Sequence, residues 1–114
     1  MEISVLSKLA GRQFRTVTIP DEEVVEGIEE GEKLELVFRY GQNEFQPSDQ
    51  PSVTSGDVVL MDNKFFIMEN FGFKEIDFKV YISLRELYEK MEDNVKVTYN
   101  KIKDIYKEFD IKAF

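Results

Sequence analysis

The sequence stretch that decides the fold is VVLMDNKFFIM, residues 58–68. Two apolar runs, 58–61 and 65–68, flank a short polar segment in which Asp62 and Asn63 tolerate the left-handed backbone of a tight hairpin turn. Both runs are apolar at nearly every position, which is typical of strands that are covered on both faces. The stretch therefore predicts an antiparallel hairpin with other parts of the chain packed against each face.

Shorter strands are predicted on either side of this hairpin. An apolar pattern that starts at Ile3 indicates a first strand, and residues 15–19 alternate polar and apolar side chains and indicate a second. Residues 73–76 and 78–82 supply one or two more.

A short acidic helix is predicted after Pro20, with Asp21 as its N-cap and Gly31 as its stop. Residues 32–41 alternate like a strand but also fit a helix, and the Glu, Lys and Leu at their start favour the helix. Residues 41–55 contain two prolines and many polar side chains, and they predict a loop.

The C-terminal part of the chain is predicted to be helical. Ser83 and Glu86 have the spacing of a capping box. Apolar residues then recur at steps of three and four from Leu84 to Phe109, without Gly or Pro. The pattern fits one helix of about 25 residues, or two helices with a break near residues 93–94.

These elements predict a single α+β domain over residues 1–114. It has an antiparallel sheet of about four to six strands, a short acidic helix, and a long C-terminal helix packed on one face.

Composition excludes several classes of function. The chain has neither Cys nor His, which removes the commonest groups for proton transfer, thiolate chemistry and zinc ligation. We therefore expect no enzymatic activity, no catalytic residue, no cofactor and no metal site. No stretch approaches a signal peptide or a membrane span, so we expect a cytoplasmic protein with no membrane partner.

Carboxylates are too common here to indicate a site by their presence alone. The pairs Asp57 with Asp62 and Glu69 with Glu75 have no spacing that is typical of a magnesium site. Gly56 and Asp57 fit a turn, in which Gly takes a positive φ and Asp caps the start of a strand.

The net charge of −8 is concentrated in one segment. Residues 21–35 carry eight carboxylates against one lysine, a net charge of 1 − 8 = −7, whereas residues 63–114 are balanced. A field this lopsided argues against direct nucleic-acid binding and favours a protein partner with a basic surface. The candidate partner-binding residues are Glu22, Glu23, Glu26, Glu29, Glu30, Glu32 and Glu35. Their charges would imitate nucleic-acid phosphates; a solvated face that keeps the protein soluble is the alternative.

The middle of the chain resembles a known family. The motifs that carry the resemblance are YGQNEFQP at 40–47, SVTSGDVVL at 52–60, KFF at 64–66 and FGFKEI at 71–76. In this order they resemble the YodL-like and large-polyvalent-protein-associated domains of conjugative elements and phages. Thr54 and Ser55 depart from the more apolar family form, and the acidic segment and the C-terminal helix lie outside the match.

The resemblance implies a protein of a mobile genetic element that acts against host defences. In size and charge the chain is similar to type II-A anti-CRISPR proteins, so the expected function is inhibition of the RNA-guided nuclease by interference with guide RNA or DNA binding. The alternative is a non-inhibitory adaptor of a conjugative element or phage. Its contacts, or those of a homodimer, would use the C-terminal helix, where Tyr88, Tyr99 and Tyr106 are candidates.

Overall fold

The structure is a computed structural model, which describes residues 1–8, 14–42, 52–91 and 94–113. Its strands are β1 (Glu2–Leu6), β2 (Phe14–Thr18), β3 (Val58–Met61), β4 (Lys64–Met68) and β5 (Phe73–Ile76). Its α-helices are α1 (Glu30–Tyr40), α2 (Phe78–Lys90) and α3 (Val95–Glu108), and Asp21–Glu23 forms one 3-10 turn. The predicted α+β class is confirmed.

The five strands form one antiparallel sheet in the order β2-β1-β3-β4-β5. The predicted hairpin joins β3 to β4, with Met61 opposite Lys64. Asp62 and Asn63 both have positive φ, at 54° and 61°, as a two-residue hairpin turn requires.

Helices cover both faces of the sheet, which explains the unbroken apolar runs of the hairpin. Val58 and Ile67 belong to a core with α2 and α3, whereas their chain neighbours Val59 and Phe66 belong to a second core with α1. Because successive strand residues point to opposite faces, a strand between two cores must be apolar throughout.

The helix predicted over residues 32–41 is confirmed as α1, but the helix predicted before it is wrong. Only the 3-10 turn Asp21–Glu23 forms there, and Gly31 lies in the first turn of α1 instead of ending a helix. Gly27 has a φ of +81° and turns the chain between the two. Most of the predicted loop, residues 43–51, lies outside the described residues.

The strand predicted over 78–82 and the capping box at Ser83 are also wrong. Asp77 is the N-cap of α2, and its Oδ1 accepts the Val80 N–H at 2.9 Å. Of the two alternatives predicted for the C-terminal pattern, the structure has the one with two helices. α2 ends at Lys90, and Asn94 is the N-cap of α3. Val80 and Leu84 lie in the core, so the helical spacing continues upstream of the predicted start.

Gly56, just before β3, lies close to α3 and to the end of β1. Its φ is +95°, and a Cβ on this residue would stand 2.8 Å from the Tyr106 hydroxyl and 2.8 Å from Cδ of Lys8. Gly72 has a similar φ of +85°, but a Cβ there would meet nothing within 4 Å.

We expect Gly56→Ala to lower the free energy of unfolding more than Gly72→Ala does. Both variants force an L-residue into the left-handed region, at about 1–2 kcal/mol. Gly56→Ala adds overpacking against Tyr106 and Lys8, worth about 1–3 kcal/mol more. Urea denaturation of both variants measures the difference, and equal losses would contradict the close approach at Gly56.

Candidate functional site

The acidic segment, residues 21–35, runs from the 3-10 turn through a connecting loop into the first half of α1. Three of its eight carboxylates are held by other groups. Asp21 pairs with the N-terminal ammonium of Met1 at 3.0 Å, and Glu23 accepts the Tyr40 hydroxyl at 3.1 Å. Glu30 pairs with Lys64 at 3.1 Å.

The other five carboxylates have no ion pair or hydrogen bond within the described ranges of the chain. All five are exposed, and we call them the acidic surface: Glu22, Glu26, Glu29, Glu32 and Glu35. The structure therefore divides the seven predicted binding residues into five that face solvent with no partner in those ranges and two, Glu23 and Glu30, that hold the segment in place.

Three members of the acidic surface are spaced regularly along α1. Glu29 is the N-cap, and Glu32 and Glu35 follow at steps of three residues. Such positions are neighbours on a helix, with Cβ atoms about 5–6 Å apart. The Glu29 side chain makes no capping hydrogen bond, although Ser, Thr, Asp or Asn would commonly make one at this position. The chain thus keeps a solvent-facing charge where a cap would stabilise the helix.

Lys33 within the acidic segment and Lys64 of β4 both bind carboxylates outside the acidic surface. Lys33 pairs with Asp62 in the hairpin turn. Lys64 contacts Glu30 and, at 3.9 Å, Glu75, and the Glu30 hydrogen bond raises the pKa of Lys64. These pairs fix the start of α1 to the β3–β4 turn, and they leave the acidic surface without counter-ions among the residues that the structure describes.

The polar cluster at the other end of β3 is buried. Asp57 is fully buried, and its two oxygens accept the backbone N–H groups of Lys8 at 2.9 Å and Thr54 at 3.0 Å. Burial raises the pKa of Asp57 to about 6, opposed by these hydrogen bonds and by the charges of Arg15 and Lys8. The prediction that Gly56 and Asp57 form a turn with an Asp cap is confirmed.

Two tyrosines complete this cluster. The Tyr88 hydroxyl donates to the Gly56 carbonyl at 2.6 Å and lies 2.7 Å from the Tyr106 hydroxyl. Burial raises the pKa of Tyr106 to about 12 and that of Tyr88 well above its ordinary value. The prediction that Tyr88 and Tyr106 are available to a partner is therefore wrong, because both side chains join α2 and α3 to the turn at Gly56. Tyr99 is 39% exposed, as predicted for a surface position.

Arg15 is the residue that the sequence pattern missed. It lies on the same side of the sheet as Val17 and Ile19, and it is buried with them beneath the end of α1, where Nη2 donates to the Gly41 carbonyl at 2.8 Å. Its Nε and Nη1 are buried and have no hydrogen-bond partner in the described part of the chain. A cation is favourable at a helix C-terminus, and this contact attaches α1 to β2.

This buried cluster is structural in character. Both oxygens of Asp57 are occupied by backbone donors, so its carboxylate cannot meet a substrate. Asp57 and Asp62 lie at opposite ends of β3, and Glu69 instead accepts the Lys112 N–H at 2.8 Å. Within the described residues, no group of three or more Asp or Glu could hold a metal ion.

The C-terminal helix presents a mixed surface. A cleft of about 360 Å³ near its end is lined by three lysines and two aspartates among other residues: Lys103, Asp104, Tyr106, Lys107, Asp110, Ile111 and Lys112. Its charges alternate in sign, so the cleft offers no basic patch for nucleic acid. No described helix is long and apolar enough to cross a membrane.

We compared the chain with protein-family models, curated proteins and solved structures. No protein-family model, no curated protein and no solved structure matches the chain. The resemblance to YodL-like domains therefore stays a prediction.

The raised pKa of Asp57 predicts a pH dependence of stability. Between pH 3.8 and about 6 the folded protein holds a proton on Asp57 that the unfolded chain has released. The stabilisation from this proton is complete below pH 3.8 and is lost as the pH rises through about 6, by about 3 kcal/mol in all.

We compare the free energies of unfolding of the wild type and of Asp57→Asn, which cannot bind this proton. The wild-type value minus the Asp57→Asn value should fall as the pH rises from 3.8 to about 6. Urea denaturation at pH 4 and pH 7 measures it. Asp104→Asn, which removes an exposed carboxylate from α3, is the matched control. A constant difference for Asp57→Asn across the window would show that Asp57 ionises in the folded protein as it does in the unfolded chain.

Proposed function

We propose that this protein is an inhibitor encoded by a mobile genetic element and that it binds the nucleic-acid-binding surface of a host defence nuclease. The observation that carries the proposal is the acidic surface, in which five exposed carboxylates within fourteen residues have no partner among the described residues. Charge that only solubilises a protein needs no such concentration, because it serves equally well when it is dispersed over the surface.

The acidic surface suits a partner that normally holds phosphates. Such a partner presents Lys and Arg side chains along a groove, and an acidic protein surface that binds there gains free energy from the opposite charges. The Glu29–Glu32–Glu35 row repeats a negative charge with a rise of about 4.5 Å per step. Glu22 in the 3-10 turn and Glu26 in the connecting loop carry the charge beyond this row. Direct nucleic-acid binding is not part of the proposal, since this charge would repel it.

Anchoring of the acidic surface supports recognition of a defined shape. The Lys33–Asp62 and Lys64–Glu30 pairs connect the start of α1 to the hairpin turn, and Tyr40 connects the end of α1 to Glu23. Preorganised contact groups lose less conformational entropy on binding. In this proposal Glu23 and Glu30 position the segment, and the five members of the acidic surface contact the partner.

The specific partner proposed is the type II CRISPR RNA-guided nuclease of a bacterial host. This choice comes from the resemblance to mobile-element domains and from the similarity in size and charge to type II-A anti-CRISPR proteins. Binding would occupy a basic channel and interfere with guide RNA or DNA binding.

A second candidate function is a non-inhibitory adaptor that binds another element protein through α3. It is favoured by the exposed apolar side chains at the start of that helix, where Val95 is 61% exposed and Val97 is 48% exposed. The homodimer through the C-terminal helix would use the same side chains. Binding through these residues would depend little on salt, whereas binding through the acidic surface would weaken as salt screens the charges.

We expect the triple variant Glu22→Lys, Glu26→Lys and Glu29→Lys to lose inhibition by at least about 100-fold, because three attractions become repulsions. The measurement is DNA cleavage by a purified type II RNA-guided nuclease with its guide RNA, over a range of inhibitor concentrations. All three positions precede the first turn of α1, so the fold should persist, which far-UV circular dichroism checks.

The matched control reverses three carboxylates on α2 and α3, with Glu86→Lys, Asp104→Lys and Glu108→Lys. These side chains are exposed and have no ion pair in the described ranges, so the control changes the net charge equally. We expect it to inhibit within about threefold of the wild type. Equal loss in both triple variants would show that net charge, and not the acidic surface, is what matters. No inhibition by the wild type would remove the nuclease as the partner.

A further inference from the structure

β2 is one of the two edge strands of the sheet, and every second residue of β2 directs its backbone N–H and C=O groups away from the sheet. Met1 and Ile19 exchange two backbone hydrogen bonds, each 2.7 Å long. Because hydrogen-bonded and non-hydrogen-bonded pairs alternate in an antiparallel ladder, Val17 and Arg15 also direct their backbone groups toward β1. The outward N–H and C=O groups therefore belong to Phe14, Thr16 and Thr18, and within the described residues they have no partner.

Natural sheets usually protect such an edge with charged side chains, a proline or a bulge. The opposite edge strand, β5, is four residues long and carries Lys74 and Glu75. The β2 strand has no proline and pairs with β1 without a bulge, and its one charged residue, Arg15, is buried beneath α1. In a chain with a net charge of −8, the open side of β2 is an uncharged strip.

We propose that β2 pairs with β2 of a second copy of this chain, antiparallel and centred on Thr16, to form a two-fold symmetric dimer. The outward residues stand symmetrically about Thr16, so Thr16 meets Thr16 of the second copy, and Phe14 meets Thr18 of the second copy. Each of these three pairs exchanges two backbone hydrogen bonds. A two-fold axis closes the assembly at two copies, because each edge is used once.

Side chains on the open face are complementary in this arrangement. Phe14 is 40% exposed and lies beneath Arg85 of α2, whose guanidinium carbon is 5.4 Å from the ring centroid. Glu2 is the cross-strand neighbour of Thr18. The pairing brings Glu2 to about 10 Å from Phe14 of the second copy, two strand spacings away. The Arg85 that covers that ring, and that pairs with Glu89 of its own helix at 3.6 Å, is then on the side of Glu2 at both ends of the interface.

The α1 part of the acidic surface, Glu29, Glu32 and Glu35, does not oppose this dimer. The C-terminal end of α1 lies over β2, where Gly41 accepts a hydrogen bond from Arg15, whereas its glutamate-rich start lies by the β3–β4 turn. A five-residue edge buries less than the roughly 1,200 Å² of a standard stable interface. We therefore expect a weak dimer, with a dissociation constant on the order of 100 µM.

The test is sedimentation velocity of the purified protein from about 10 µM to 1 mM, where we expect the weight-average mass to rise toward that of a dimer. Thr16→Lys should weaken association at least about tenfold, because it places two like charges opposite each other at the axis. Ser4→Lys is the matched control: it adds the same charge on the same face, on the adjacent strand and away from the edge, and it should change association by less than about threefold.

A charge exchange tests the register. Glu2→Arg and Arg85→Glu should each weaken association, and the double variant should recover most of the loss, as only a direct pair of opposite charges would. A monomer at every concentration would overturn the proposal. Association that survives Thr16→Lys but is lost in Val97→Lys would also overturn it and assign self-association to α3.

Discussion

The burial of the Asp57 carboxylate is the interaction on which the rest of the structure depends. One oxygen binds the Lys8 N–H at the end of β1, and the other binds the Thr54 N–H in the turn before β3. The same turn presents the Gly56 carbonyl to Tyr88 of α2. A single residue thus fixes where β3 begins, how β1 lies beside it, and where the α2–α3 layer meets the sheet.

β3 connects this buried cluster to the acidic surface. Asp57, directly before β3, is buried among backbone donors. Asp62, directly after β3, lies at the surface and binds Lys33 of α1. The four residues of β3 therefore connect the buried cluster to the Lys33–Asp62 pair that holds α1. In the proposed function this attachment matters, since a polyanion mimic on a loose segment would lose conformational entropy on binding that a preorganised one does not.

Sequence patterns predicted the elements that depend on local chemistry. The Asp62–Asn63 turn, the strands on each side of it and the apolar alternation near Ile3 are local signals, and the structure has all of them. The pattern failed where two local signals compete. Residues 78–82 alternate like a strand, but Asp77 caps a helix there, and Val80 and Leu84 continue a spacing of four that places them in the core.

Contacts between distant residues could not be predicted from one sequence. The choice of which glutamates remain free depends on Lys64 and Glu30, which are 34 residues apart, and on Tyr40 and Glu23. Tyr88 and Tyr106 looked suitable for a partner because a helical stripe does not show which of its members another element covers. Arg15 was missed for a different reason: the alternation of β2 places it on the core face with Val17 and Ile19, but a charged side chain is rarely buried.

The most direct test of the account is competition for the nucleic acid itself. Fluorescence anisotropy of labelled guide RNA, bound to the purified type II nuclease, would be followed as this protein is added. If the acidic surface imitates nucleic acid, the anisotropy falls to that of free RNA, and the apparent affinity weakens as salt rises from about 50 to 200 mM. If the anisotropy rises instead, because the protein joins a complex that keeps its RNA, and the same holds for labelled target DNA, then the acidic surface does not imitate nucleic acid.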